Sequence, residues 1–216
     1  MSKRLPPRAE NLRRALAQEA ARVMAEHGVR DFLFAKRKAA ERFGVVDGAV
    51  LPRNTEIEQA LAEYQRLFKR DSHVESLYAQ RLAAAAAMRE LQGFEPRLVG
   101  PVLAGTATEH ERVQIHAFAD RAETIVFRLM DRGVDYEISE RRVKMNAERV
   151  LSLPSIAFEI DERPVEVVVF AIDGIRQSPA SPLDGKPMRR ADLAEVEQLL
   201  ADGEEGDRSI FRTQRR

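Results

Sequence analysis

The chain has 216 residues, with 35 Lys plus Arg against 35 Asp plus Glu, so its formal net charge is zero. That balance gives no whole-molecule attraction to nucleic acid or anionic lipid. The absence of cysteine excludes disulfides, thiolate zinc sites and thiol nucleophiles. Apolar residues at 44% suffice for a packed core, no apolar run approaches the roughly 18 residues of a membrane span, and the charged start lacks a signal-peptide core. A cytoplasmic protein with no membrane partner is expected.

After Pro6 and Pro7, Leu12, Leu16, Ala20, Val23 and Met24 recur at helical spacing as far as Gly28. A second helix is predicted from Asp31, an N-cap, to Gly44, a terminator. Its Lys36, Arg37 and Lys38 form a basic run, which reads as a solvated face. Residues 45–54 hold Gly48 and Pro52 and read as a loop. Two further helices open on the spacings Thr55 to Glu58 and Ser72 to Glu75, each that of a capping box. The alanine run 83–87 in the fourth helix lets a neighbour pack closely.

From Phe94 the pattern changes. Residues 98–104 are short, apolar and bounded by Pro96 and Gly105, which predicts a buried strand. A second strand is predicted over 113–118, with Val113, Ile115 and Ala117 on one face and Gln114, His116 and Phe118 on the other. A helix over 120–131 stops at Gly133, and strands follow at 134–143, 155–160 and 164–172. Residues 177–191 form a Pro-dense loop, and Asp192 with Glu195 opens a short last helix. The expected fold class is α+β. A helical region over 1–93 packs on a small mixed-sheet domain over 94–202, and a mobile tail covers 203–216.

The sharpest local feature is Ala104-Gly105-Thr106 between two predicted strands. A glycine beside a hydroxyl lets backbone amides approach a phosphate, although such a pair also makes ordinary turns. The Pro-rich loop adds Lys186, Arg189 and Arg190, cations suited to an anion near Thr106 or simply solvated. His110, Glu111, His116 and Asp120 cluster in sequence at no known metal spacing, with Glu166 on a later strand. There is no Gly-x-Ser-x-Gly elbow, no dinucleotide Gly-x-Gly-x-x-Gly and no His-Glu-x-x-His helix.

The order of a strand ending in Gly105-Thr106-Ala107, a link over 108–112, the strand 113–118 and a later strand with Glu166 resembles the minimal nucleotidyltransferase superfamily. The run Leu98-Val99-Gly100-Pro101-Val102-Leu103-Ala104-Gly105-Thr106-Ala107, with Leu51-Pro52-Arg53-Asn54 and Ala35-Lys36-Arg37-Lys38-Ala39-Ala40, resembles a bacterial group labelled nucleotidyltransferase-like. The resemblance implies a nucleotidyltransferase-like α/β domain. Gly105, Thr106, Lys186, Arg189 and Arg190 would bind phosphate, and Glu166 and His116 would be the catalytic candidates. An active member would use magnesium or manganese with a nucleoside triphosphate, held by two carboxylates one residue apart on a strand. The matching positions here carry Arg112 and Gln114, neither of which replaces a carboxylate on magnesium. The implied function is a degenerate nucleotidyltransferase-fold protein binding a nucleotide, a nucleic-acid end or a protein partner. The alternatives are an active transferase with a rearranged site around His116 and Glu166, and a non-catalytic scaffold.

Overall fold

The computed structural model describes residues 7–45, 48–68 and 70–213, with side chains left out at a few of these and beyond Gly203. Among them are seven α-helices and one five-stranded mixed sheet, an α+β fold. No described helix is long and apolar enough to cross a membrane. Contacts divide the chain into two compact units, one formed by Met1–Val74 with Thr108–His110 and Pro182–Asp184, the other by Glu75–Ala107, Glu111–Ser181 and Gly185–Arg216.

The first unit is helical, with α1 at Pro7–His27, α2 at Phe32–Phe43 and α3 at Asn54–Phe68. Asp31 caps α2 as its sequence predicts, accepting from the amides of Leu33 and Phe34, and Gly44 ends it in the left-handed region at φ 64°. A side chain at that φ would be strained, so glycine is the residue that stops the helix cleanly. The start of α3 differs from expectation. Glu56, not Glu58, reaches back to the Arg53 amide at 2.6 Å, so the helix begins two residues earlier and Thr55 lies inside it. Leu16, Ala20 and Met24 of α1 bury against Ala35 and Ala39 of α2 and Ile57 and Leu61 of α3. Part of the loop expected at 45–54, residues 46 and 47, lies outside the described residues.

Helix α4, Arg70–Glu90, starts before the expected Ser72, and from Glu75 onward it belongs to the second unit. Periodicity assigned α4 to the helical region; its packing lies with the sheet, where Ala83, Ala84, Ala87, Met88 and Leu91 are buried in one core with the strands. The predicted strand 98–104 is in fact two elements. Strand β1 covers only Arg97–Val99, and the short helix α5 covers Gly100–Ala104. Gly100 at φ 74° turns the chain out of the strand, Pro101 supplies a helical φ in the first turn, and Gly105 at φ 82° closes it.

Strand β2 is Val113–Phe118, as predicted, and α6 is Glu123–Asp131. Strands β3 at Tyr136–Lys144, β4 at Val150–Ile160 and β5 at Arg163–Phe170 complete the sheet in the order β1-β2-β5-β4-β3. Only the β2–β5 pair is parallel. The last helix, α7, spans Leu193–Thr213 and so continues through residues expected to form the tail. Its start is a reciprocal cap, the Glu195 amide donating to Asp192 Oδ1 at 3.0 Å and the Asp192 amide to Glu195 Oε2 at 3.3 Å.

Period-two alternation sorts the sheet into two faces. Val113, Ile115, Ala117, Val165, Val167, Val169 and Ile156 share a core with Val102 of α5, Ile125 and Leu129 of α6, and Val196 and Leu200 of α7. Each large side chain fully buried there contributes about 1.5–3 kcal/mol. The opposite face carries Gln114, His116 and Phe118 on β2, Glu166, Val168 and Phe170 on β5, and Ser155 on β4. It has a smaller apolar cluster of Phe118, Met145, Val168 and Phe170.

Candidate functional site

The register of the central strands decides which polar groups meet. Gln114 lies opposite Glu166 and His116 opposite Val168 across the parallel β2–β5 pair. Ala157 lies opposite Glu166 across β4–β5, with Ser155 two residues away on the same face. Arg141 of β3 stands opposite Leu153 and joins that face from the outer strand. This side of the sheet therefore collects a glutamate, a histidine, a glutamine, a serine and cationic side chains within one unit.

Glu166 is only 9% exposed and accepts on both oxygens. Arg141 Nη1 donates to both its carboxylate oxygens at 3.0 Å, and Ser155 Oγ donates at 3.1 Å. These contacts take three of the carboxylate's roughly four lone-pair sites and set a cation against both oxygens, which opposes a second cation there. Arg112, at the first expected metal position, is an exposed cation ahead of β2. Gln114, at the second, packs on Gly100, where an added Cβ would lie 2.9 Å from Gln114 Oε1. Among the described residues no three His, Asp or Glu side chains converge where a metal could sit. The side chains at the expected positions thus do not fit the magnesium or manganese that the resemblance implies, and no step through a metal is derived from them.

His116, at 5% exposed, is held by a second arginine. Arg190 Nε donates to His116 Nδ1 at 3.1 Å. Its Nη1 donates to the carbonyls of Gly174 at 3.0 Å and Ile175 at 3.2 Å, in the turn Ile172–Arg176 that follows β5. The guanidinium lies 5.0 Å from the ring centres of both Phe118 and Phe170, and the His116 ring sits 4.6 Å from that of Phe170. Among the described residues Nη2 is buried without a hydrogen-bond partner. Burial, and then the charges of Arg190 and Arg141, push the His116 pKa down to about 3, so the ring is neutral at pH 7 and its Nδ1 is an acceptor. Burial and the nearby Arg97 lower Arg190 to about 10, which leaves it cationic at neutral pH.

The other expected phosphate ligands are placed differently. The amides of Gly105 and Thr106 both donate to the Pro101 carbonyl, at 2.8 and 3.0 Å. The corner expected to offer amides to a phosphate spends them on closing α5. The three cations of the Pro-rich loop diverge. Arg190 reaches the sheet face, Arg189 pairs with Glu195 at 3.4 Å at the start of α7, and Lys186 is exposed in a turn where its carbonyl accepts from the Ser181 amide at 2.7 Å. In the helical unit the basic run is a charged surface: Lys38 pairs with Glu41 at 3.0 Å. A groove of about 310 Å³ between α1 and α3 is lined by Glu10, Arg13, Glu56 and Glu63, and its Arg13 is already paired with Glu56 at 2.9 Å.

Sequence reasoning named His116, Glu166 and Arg190 but missed Arg141, Ser155 and Arg97. A signal for Arg141 existed in the β3–β4 hairpin, where Asn146 Oδ1 accepts from the amides of Glu148 and Arg149 and closes the turn. Reading that asparagine as the turn sets Lys144 opposite Val150 and so aligns the two strands. Comparison of the chain with family models, with curated proteins and with solved structures finds no match.

Proposed function

We propose that the chain is a degenerate nucleotidyltransferase-like protein whose polar sheet face binds the phosphate-bearing end of a nucleotide without transferring a nucleotidyl group. The observation that carries this reading is the Arg141–Glu166 pair. The one carboxylate left at a position matching the superfamily motif is tied at 3.0 Å to a guanidinium that stands against both of its oxygens. Transfer chemistry loses its metal by this arrangement. Binding does not, because the same face collects Arg97, Arg141 and Arg190 against two carboxylates, Glu166 and the Glu95 that pairs with Arg97 at 3.0 Å, and guanidinium groups recognise phosphate oxygens in two-point contacts.

The test is a pair of measurements on the intact chain. Melting temperature is recorded with ATP, CTP, GTP and UTP, each with and without magnesium. Labelled triphosphates are then incubated with magnesium or manganese to detect pyrophosphate release or a labelled product. The reading expects a rise in melting temperature with at least one nucleotide, corresponding to about 2.7 kcal/mol at a hundredfold excess over Kd, and no turnover. Turnover that disappears in Glu166→Ala overturns it in favour of an active transferase with a rearranged site. Neither stabilisation nor turnover leaves a scaffold with no nucleotide site.

A further inference from the structure

The sheet has two edges, and they are finished differently. At β1 the amide of Leu98 donates to Ala191 at 2.8 Å and the amide of Ala191 donates back at 2.9 Å, so that edge is closed by the chain itself. At β3 the pairing with β4 holds one register from Tyr136 opposite Phe158 to Lys144 opposite Val150. Beyond it the Met145 amide donates to the Arg149 carbonyl at 2.8 Å. In an antiparallel ladder hydrogen-bonded and non-bonded positions alternate. The odd-numbered residues of β3 therefore bond to β4, and Tyr136, Ile138, Glu140 and Arg142 turn their amides and carbonyls outward. Lys144 confirms the direction, since its outward carbonyl accepts from Ala180 at 2.9 Å. Between Tyr136 and Arg142 no described backbone group meets this edge. Ile138 there is 61% exposed.

We infer that β3 is the pairing edge for a second copy of this chain, in an antiparallel two-fold contact centred on Ile138. A two-fold axis through the sheet keeps each face continuous, so outward residues pair only with outward residues, and three central registers are available. Centring on Glu140 sets two carboxylates opposite each other, which is destabilising. A dyad at Ser139 sets Glu137 opposite Arg141, but that guanidinium is already held by Glu166, and it places the apolar Ile138 against Glu140. Centring on Ile138 buries that side chain against its own copy, sets Tyr136 opposite the second copy's Glu140 and Glu137 opposite Ser139, and brings Asp135 level with Arg141. Each of these pairs is apolar, hydrogen-bonding or oppositely charged, and beyond them Val134 meets the aliphatic stem of Arg142. The zero net charge of the chain adds no general repulsion between copies.

The chain has no cysteine, which makes cross-linking decisive. An Ile138→Cys variant places each new thiol opposite its own copy, at the Cα separation of about 5.5 Å found in a bonded antiparallel pair and inside the range a disulfide spans. The expected result is a dimer of the wild-type chain by sedimentation over a concentration series. Mild oxidation should then link Ile138→Cys quickly and leave Ser139→Cys and the exposed control Leu33→Cys largely unlinked. Ile138→Lys and Glu140→Pro should both give folded monomers that melt lower only by what association adds, since proline at an outward position of an edge strand removes no backbone bond to β4 and the Ser152–Glu140 side-chain bond it loses is exposed. A monomeric wild-type chain at every concentration overturns the inference. So does a dimer that survives both substitutions, or a monomer whose β3 instead takes up a foreign extended peptide.

Discussion

The two faces of one sheet show opposite uses of the same alternation. Val113, Ile115 and Ala117 of β2 point into the helix-covered core, while Gln114, His116 and Phe118 from the same six residues point the other way. Apolar burial holds the first face and needs only shape and volume. The second face buries a histidine and a glutamate, and each is secured by an arginine brought from a distant part of the chain. A buried polar group is costly unless its partner is in place, so the second face depends on particular residues where the first depends on a class of residues.

Substitutions that break each face sharpen that contrast. The largest effect is expected from Ile115→Ala, fully buried in the main core, with a loss of about 2–5 kcal/mol in chemical denaturation. Ile115→Val should recover most of it. Arg190→Ala is expected to cost about 1.5–3 kcal/mol, because it leaves His116 Nδ1 and two carbonyls without their donor. Here the conservative change should fail, since lysine cannot match the planar fork that serves ring, carbonyls and imidazole together. Equal recovery by Arg190→Lys would show that charge alone matters at that position.

Acid separates the faces next. The His116 pKa falls from 6.5 to about 3 on folding, mainly through burial, so the unfolded chain binds the extra proton first as pH drops. Stability from this group is fully present above about 6.5 and is lost progressively between about 6.5 and 3. Denaturation midpoints measured across that window should fall in the wild type and fall less steeply in His116→Asn, which keeps an acceptor but does not titrate. The smallest effect is expected from Glu166→Gln. It keeps an oxygen for Ser155 and removes the ion pair with the half-exposed Arg141, for a change of about 1 kcal/mol or less.

Local signals made much of the fold legible. Asp31 and Gly44 bound α2, Asp192 and Glu195 open α7, and the alternation of 113–118 names both faces of β2. Arg112 and Gln114, where the resemblance expects paired carboxylates, were equally plain, being a matter of residue identity. The reading failed where two signals competed within a few residues. The apolar stretch 98–104 looks like a strand by composition, but Gly100 and Pro101 break it into β1 and α5, and that turn takes up the Gly105 and Thr106 amides expected to face a phosphate. Of three neighbouring cations, sequence alone could not say that Arg190 meets His116 while Arg189 turns to Glu195.

Caps, turns and face assignment are decided by bonds between residues a few positions apart, and those are written in the order of amino acids. The partners of Glu166 and His116 lie 25 and 74 residues away, and they meet because strand register and the path of the Pro-rich segment bring them together. Those choices are made when the whole chain buries its apolar surface at once. They therefore belong to the tertiary structure and to no window of the sequence.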